Sequence, residues 1–235
     1  MKEELYTIPV ADGFKKDCEC AFCAMKQEAE ARAVGFIMSP SYMEEDVREQ
    51  TNKLGFCQLH MEQLYAQKNA LGLALMLQSH LVRQRMELEK AAAPAGGFHR
   101  RRPAQDSPAA ALRREQAGSC YICRQTSETM ERYLEAFFYL LKKDPAFQDQ
   151  VWQSKGFCFD HFLMLLDRSA EFLSGEKLAD FRSRMQQLEK ENLDRLEEEL
   201  DWFIKKFDYR YREEPWKTSK DALPRTILKI NGQWM

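Results

Sequence analysis

Apolar positions along the chain recur at spacings of three and four residues, the pattern of helices that bury one face. No stretch alternates apolar and polar residues with the two-residue period of a strand, and strong helix formers dominate. One long stripe begins near Gly175 and is interrupted at Asn192. Its apolar members are Leu178, Phe181, Met185, Leu188, Leu196, Leu200, Phe203 and Phe207. The sequence therefore predicts an all-α protein that includes a long amphipathic C-terminal helix.

Glycine and proline mark where the other predicted helices begin and end. Gly55 ends the predicted helix over 43–54, whereas Pro145 opens and Gly156 closes the predicted helix over 145–154. The N-terminal part is predicted to form helices over 20–34, 43–54 and 57–90. The C-terminal part is predicted to form helices over 121–143, 145–154 and 158–173. The two parts follow the same three-helix plan.

The cysteine and histidine residues show the same repeat. Cys20-x-x-Cys23 is followed by Gly55-Phe56-Cys57-x-x-His60, and Cys120-x-x-Cys123 is followed by Gly156-Phe157-Cys158-x-x-His161. Each of these residues recurs after 100 or 101 positions. We therefore predict a first repeat over 1–91, a linker over 92–118, a second repeat with the long helix over 119–212 and a tail over 213–235.

Three cysteines and one histidine per repeat make a Cys3His set, a complement that holds zinc with closed tetrahedral coordination. The sequence predicts one zinc ion in each repeat, two per chain, with Cys20, Cys23, Cys57 and His60 in the first and Cys120, Cys123, Cys158 and His161 in the second. Calcium and magnesium would require oxygen ligands that this set lacks. Each metal would clamp three helices and couple metal binding to folding.

Other interpretations of the same residues stay open. A Cys-x-x-Cys pair can also carry thiol redox chemistry, and Cys18, which has no counterpart in the second repeat, motivates a redox-responsive zinc switch. Cys57 and His60 could form a nucleophilic dyad, although no orienting carboxylate is evident. His80 is expected to be a core or interface histidine rather than a ligand. Closed coordination disfavours hydrolytic catalysis, and no catalytic residues are predicted.

Composition limits the partners. The net charge of −2 supplies no overall field toward nucleic acid or an anionic membrane. The linker is rich in Ala, Pro and Arg and is expected to be flexible. Its runs Arg100-Arg101-Arg102 and Arg113-Arg114 are expected to be solvated, which makes nucleic acid an unlikely partner, and binding through the arginine linker and the tail is kept as an alternative. The sequence shows no signal peptide and no apolar run of membrane length, which predicts a cytoplasmic protein without membrane insertion. The expected partner is another protein, with dimerisation through the long helix as an alternative.

The doubled motif, together with the tail Asp208-Tyr209-Arg210-Tyr211-Arg212-Glu213-Glu214-Pro215-Trp216, resembles an uncharacterised family of cytoplasmic Firmicutes proteins of unknown function. The resemblance covers nearly the whole chain outside the linker, and the family pattern falls on the eight cysteine and histidine residues named above. It implies no substrate or activity. The sequence thus favours a non-catalytic zinc protein that serves as a binding or scaffold module.

Overall fold

The computed structural model of the protein describes residues 4–93 and 107–232. These residues form eleven α-helices and short 3-10 helices but no strand, which confirms the all-α prediction. None of these helices is long and apolar enough to cross a membrane. The helices are α1 (Thr7–Phe14), α2 (Ala21–Met38), α3 (Glu45–Leu54), α4 (Gln58–Ala66), α5 (Ala70–Ala92), α6 (Pro108–Gln116), α7 (Tyr121–Lys143), α8 (Pro145–Trp152), α9 (Phe159–Phe172), α10 (Gly175–Lys205) and α11 (Ala222–Asn231).

Most helix ends lie near the predicted ones, but the helix expected over 57–90 is interrupted. It is divided into α4 and α5 because Lys68 adopts a left-handed backbone conformation, with φ of 60°. The Asn69 side chain then accepts a hydrogen bond from the Gly72 amide at 3.0 Å and caps the start of α5. Such a cap satisfies an amide that the first turn of a helix leaves free, so a new helix begins here.

The chain divides into two compact units that do not follow the two repeats. Unit 1 comprises the described residues up to Glu28 and from Met130 onward, and unit 2 comprises those between Ala29 and Thr129. The divisions fall within α2 and α7, so each of these helices supplies residues to both units. Each sequence repeat therefore contributes to both compact units.

The predicted linker over 92–118 contains an ordered helix. Helix α6 begins behind Ser107, whose side chain accepts a hydrogen bond from the Ala110 amide at 3.1 Å. Gln116 at its end donates to Gln84 on α5 at 2.5 Å. Residues 94–106, which include His99 and the three consecutive arginines, lie outside the described residues. The structure adds a helix over 108–116, and the flexibility expected of this segment stays a prediction.

Unit 1 is built around aromatic side chains and the long stripe of α10. Phe14, Phe22, Phe137 and Phe157 lie within 5.5–6.5 Å of one another between ring centroids. These rings come from α1, α2, α7 and the segment before α9, so aromatic contacts join elements distant in sequence. The α10 stripe is buried at Phe181, Met185, Leu188, Asn192 and Leu196. Helix α11 packs on α9 and α10.

Unit 2 has an aliphatic core instead. Its buried members come from α2, α3, α4, α5 and the start of α7, and Phe56 packs against them while remaining partly exposed. The buried apolar residues are Val34, Ile37, Val47, Leu64, Leu73, Met76, Tyr121 and Ile122. The two Gly-Phe-Cys corners therefore place equivalent phenylalanines in different surroundings: Phe157 is fully buried among aromatic rings, whereas Phe56 lies at the edge of an aliphatic core.

Glycine is required at both corners for two physical reasons. Gly55 and Gly156 have φ of 61° and 76°, a region that residues with a Cβ rarely adopt. A Cβ on Gly55 would lie 2.8 Å from the His80 ring, and one on Gly156 would lie 2.6 Å from Oε2 of Glu189. Gly55 caps α3 as predicted, whereas Gly156 lies beyond the end of α8, whose C-cap is Gln153. Both glycines serve as close-approach positions.

We predict that Gly156→Ala lowers the free energy of unfolding by about 2 kcal/mol, because the left-handed backbone and the contact with Glu189 both oppose a Cβ. Gly35→Ala is the matched control, since Gly35 lies in α2 with nothing within 4 Å of the added atom. That change should stabilise the protein by up to about 1 kcal/mol. Denaturant unfolding of both variants tests this, and equal effects would contradict it.

Candidate metal centres

The eight predicted ligand residues converge in two separate clusters. In each cluster one ligand atom from every residue lies within 4.8 Å of all the others, so each cluster could hold a metal ion. Site A lies in unit 1 and site B lies in unit 2. Site A comprises Cys20, Cys23, Cys158 and His161. Site B comprises Cys57, His60, Cys120 and Cys123.

The pairing predicted within each repeat is wrong, because each cluster combines the Cys-x-x-Cys of one repeat with the Cys-x-x-His of the other. Unequal helix lengths accompany the exchange. Helix α7 has 23 residues and is about 35 Å long, whereas α8, which follows it, has 8 residues and covers about 12 Å. Cys158 belongs to the cluster of Cys20 and Cys23 and not to that of Cys120. In the first repeat α2 has 18 residues and α3 has 10, a mismatch of the same direction.

Site A is enclosed. Its four residues are all buried, with Cys158 completely so and His161 exposed by 7%. The His161 Nδ1 atom lies 3.1 Å from the Cys158 sulfur, 3.4 Å from that of Cys23 and 3.5 Å from that of Cys20. The sulfurs of Cys23 and Cys158 lie 3.5 Å apart. The ring of His161 packs against Phe22, with 5.5 Å between centroids, so the aromatic core adjoins the site directly.

Site B has the same arrangement but opens to solvent. His60 Nδ1 lies 3.2 Å from the Cys57 sulfur, 3.4 Å from that of Cys120 and 3.3 Å from that of Cys123. The sulfurs of Cys57 and Cys123 lie 3.9 Å apart. His60 and Cys120 are buried, whereas Cys57 is half-buried and Cys123 is exposed. Two of its three sulfurs are therefore accessible to small reagents.

At each site the local backbone structure orients the cysteine sulfurs. The amide of Cys23 donates to the Cys20 sulfur at 3.5 Å, and the amide of Cys123 donates to the Cys120 sulfur at the same distance. These bonds exist because each Cys-x-x-Cys crosses the start of a helix, where amides are free to donate. Cys57 and Cys158 are the N-caps of α4 and α9, so each histidine follows one helical turn later on the same face.

Within a cluster the pKa values of the thiols shift in opposite directions, and a bound cation would allow all of them to ionise. Burial raises the pKa of Cys20 well above its usual range, and hydrogen bonds with Cys158 and Cys23 raise it further. Burial likewise raises the pKa of Cys123 to about 12, helped by its hydrogen bond with Cys120. Hydrogen bonds from Cys20 and Cys23 lower the pKa of Cys158 instead. One thiolate is thus stabilised at the expense of its neighbours, and ionising all three requires a compensating positive charge.

A carboxylate that the sequence did not suggest lies behind site B. The Nε2 atom of His60 lies 3.7 Å from Oε1 of Glu30 on α2. This distance is too long for a hydrogen bond, so the carboxylate acts on the imidazole through its negative charge and does not fix the tautomer. Glu30 stands in a charged part of the helix with no motif around it, so no local pattern could have identified it.

The remaining candidates are not ligands in either cluster. Cys18 is half-buried rather than exposed and is not among the converging atoms, and burial raises the pKa of its thiol. His80 hydrogen-bonds the Asn52 carbonyl through Nδ1 at 2.9 Å, as expected for a structural histidine. Cys57 and His60 are adjacent, but two further sulfurs share the same imidazole nitrogen, which is the geometry of a ligand set rather than of a nucleophile and its base.

Comparison with known proteins places the chain in a family without assigning an activity. The chain belongs to the DUF6062 family, a family of unknown function, whose match spans residues 1–235. This extends over both Cys-x-x-Cys motifs and both Cys-x-x-His motifs, in agreement with the resemblance noted from the sequence. No detectable similarity links the chain to a curated protein or to a solved structure.

The pairing across repeats predicts a specific pattern of thiol reactivity. Replacing Cys158 with Ala should make Cys20 react with an alkylating agent at least about tenfold faster in the native protein, because the two share site A. Cys120, whose partners lie in site B, should stay protected. Mass spectrometry of the alkylated peptides reads both positions at once.

The mirror variant is the control. Cys57→Ala should make Cys120 reactive and leave Cys20 protected. A protein in which Cys158→Ala instead unmasks Cys120 would have its ligands paired within repeats, contrary to the structure.

Proposed function

We propose that the protein is a zinc-stabilised, non-catalytic helical module that binds another protein, with one zinc ion at site A and one at site B. The convergence of three sulfurs and one imidazole nitrogen at each site carries this proposal. Closed coordination by four protein ligands leaves no position for a reactive water, so the metal's contribution is structural.

The distances within each cluster fit zinc. With Zn–S of about 2.3 Å and Zn–N of about 2.0 Å, a regular tetrahedron has edges of about 3.8 Å between sulfurs and about 3.5 Å between sulfur and nitrogen. The sulfurs of Cys23 and Cys158 lie 3.5 Å apart at site A, and those of Cys57 and Cys123 lie 3.9 Å apart at site B. The sulfur–nitrogen distances range from 3.1 to 3.5 Å. Sulfur and imidazole ligands favour zinc among the divalent ions that prefer tetrahedral sites.

Zinc at these positions would act as a long-range cross-link. Site A joins Cys23 to Cys158 across 135 positions, and site B joins Cys57 to Cys123 across 66. Closing long loops restricts the unfolded chain strongly in the simple polymer model. Zinc would also neutralise much of the charge of the three thiolates at each site, all of them buried at site A, which supports coupling of metal binding to folding.

Surface composition supports a protein partner. Several large apolar side chains are exposed on α5, among them Leu71, Leu81 and Leu88. On α10 the stripe is buried as far as Leu196, whereas Phe207 just beyond its end is 77% exposed. Dimerisation through the buried part of the stripe would require unit 1 to open, so contact with another protein fits the exposed segments better.

Metal content and stability test the zinc proposal together. Native mass spectrometry of protein purified without chelators should show two zinc ions per chain. Removing them should lower the free energy of unfolding by about 4 kcal/mol or more, the stabilisation expected when free zinc exceeds Kd a thousandfold. Protein that carries no zinc and unfolds identically with and without chelator would eliminate the proposal.

A second candidate function is a redox-responsive zinc switch at site B. The observation that favours it is exposure: Cys123 is accessible and its sulfur lies 3.9 Å from that of half-buried Cys57, whereas the site A sulfurs are buried. The Cys123 thiolate would attack a peroxide, take up one OH group as a sulfenic acid and release alkoxide or hydroxide, which gains a proton from solvent. The Cys57 thiolate would then attack that sulfur and expel hydroxide, so two thiolates supply the two electrons and form a disulfide that no longer holds zinc.

Graded peroxide treatment distinguishes a switch from a purely structural centre. A switch should release one zinc per chain, link Cys57 to Cys123 by a disulfide, and leave Cys20 and Cys158 reduced. The Cys18→Ser variant is the control and should behave like the wild type, since Cys18 belongs to neither cluster. Release of both ions at the same peroxide concentration, or protection by Cys18→Ser, would count against a switch at site B.

A further inference from the structure

We propose that helix α11 is a metal-dependent latch on site A, coupled to the site through the buried side chain of Lys229. This inference rests on the proposed function, because it requires that site A hold zinc. Its basis is that α11 donates hydrogen bonds to the two chain segments that carry the site A ligands, although α11 supplies no ligand itself.

Lys229 is the contact that joins these segments. Its side chain is 1% exposed, and its Nζ atom donates to the Lys155 carbonyl at 2.6 Å and to the Glu19 carbonyl at 3.3 Å. Glu19 directly precedes Cys20, and Lys155 lies three residues before Cys158. One ammonium group therefore bridges the segments that supply the first and third ligands of site A.

The same ammonium is part of a buried ion pair that reaches the corner before Cys158. Oε1 of Glu189 lies 3.5 Å from Lys229 Nζ, and Oε2 accepts a hydrogen bond from the Phe157 amide at 3.0 Å. Gly156 allows this approach, because a Cβ there would lie 2.6 Å from the carboxylate and 3.3 Å from the ammonium. Gly156 of the Gly-Phe-Cys motif therefore leaves the space in which Glu189 and Lys229 contact each other.

A second contact holds α11 beside the first motif. Arg225 on α11 pairs with Oε1 of Glu19 at 3.3 Å, and Arg195 on α10 pairs with Oε2 of the same carboxylate at 2.6 Å. Glu19 is almost completely buried, so two guanidinium groups offset its charge next to Cys20. Both the backbone and the side chain of Glu19 therefore contact α11.

At site B the hydrogen bond equivalent to that from Lys229 to the Lys155 carbonyl is made without α11. The counterpart of Glu19 one repeat later is Ser119, and the counterpart of Lys155 is Leu54. The Ser119 hydroxyl donates to the Leu54 carbonyl at 2.7 Å, so site B is closed by its own motif. Site A has a glutamate at that position and receives the bond from Lys229 instead. Only site A depends on α11 for this contact.

Coupling between the latch and the metal follows from these contacts. The two carbonyls lie within reach of one Nζ only while the ligand segments are held together, and a buried ammonium without acceptors is strongly unfavourable. Loss of zinc from site A should therefore release α11. By thermodynamic reciprocity, loss of the α11 contacts should weaken zinc binding at site A by the same factor.

The test compares Lys229→Met with a matched buried lysine. Lys206 is also buried, and its Nζ donates to the carbonyls of Tyr211 and Arg212 at 2.7 and 2.8 Å, away from the segments that carry the ligands. Lys229→Met should weaken zinc binding at site A by about 10- to 100-fold, the range for partners behind the ligands, and leave site B unchanged. Lys206→Met should change neither site.

Zinc transfer to a chelator, combined with alkylation of Cys20 and Cys120, assigns each loss to its site. If both lysine variants weaken site A equally, the effect is general destabilisation and the latch is refuted. If Lys229→Met leaves site A unchanged in a protein whose wild type binds two zinc ions, the latch fails while the zinc proposal stands. A wild type without zinc would overturn both.

Hydrogen exchange of the wild-type protein tests the latch even if the Lys229→Met variant does not fold. Hydrogen exchange of the α11 amides should be slow in zinc-loaded protein and faster by at least about tenfold after chelation. The His60→Ala variant, which disrupts site B alone, should keep α11 protected. Slow exchange of α11 after site A has lost its zinc would contradict the latch.

Discussion

The closure of each ligand cluster by segments from opposite repeats is the constraint on which the rest of the protein depends. The Cys-x-x-Cys of each repeat lies at the start of a long helix, and the same repeat's Cys-x-x-His belongs to the other cluster. The other repeat supplies the missing pair. Two identical motifs thereby produce two compact units, each of which contains sequence from both repeats.

Identical motifs nevertheless have different surroundings. Site A is buried against aromatic rings and is bordered by a network of buried acidic and basic side chains that includes Glu19, Glu189 and Lys229. Site B adjoins an aliphatic core, opens to solvent at Cys123 and closes through a serine hydroxyl. A structural ion is best retained in the first environment, and thiol chemistry is most accessible in the second. The different side chains that surround the two motifs account for this division.

Much of the molecule could be predicted from local sequence. The all-helical fold, the bounds of α7 and the eight converging residues follow from periodicity, capping residues and motif spacing, which act over a few positions. The break between α4 and α5 was also readable, since Asn69 is a helix-capping residue directly before an apolar run. The exchange of ligands had no such signal, because it depends on which distant segments meet in the folded chain.

Other features had no local signal. Lys229 lies in an amphipathic tail helix, where a lysine is ordinarily solvated, and it is buried only because Lys155 and Glu19 meet beside it. Glu30 likewise stands behind His60 only after α2 and α4 are packed. Such residues are set by tertiary contacts between distant segments, and no spacing rule along the chain predicts them.

Anomalous X-ray scattering from crystals of the protein, measured on both sides of the zinc absorption edge, tests the central claim most directly. The account predicts two zinc peaks, one surrounded by Cys20, Cys23, Cys158 and His161 and the other by Cys57, His60, Cys120 and Cys123. A peak bound by Cys20, Cys23, Cys57 and His60, or the absence of any peak at these residues, would contradict it.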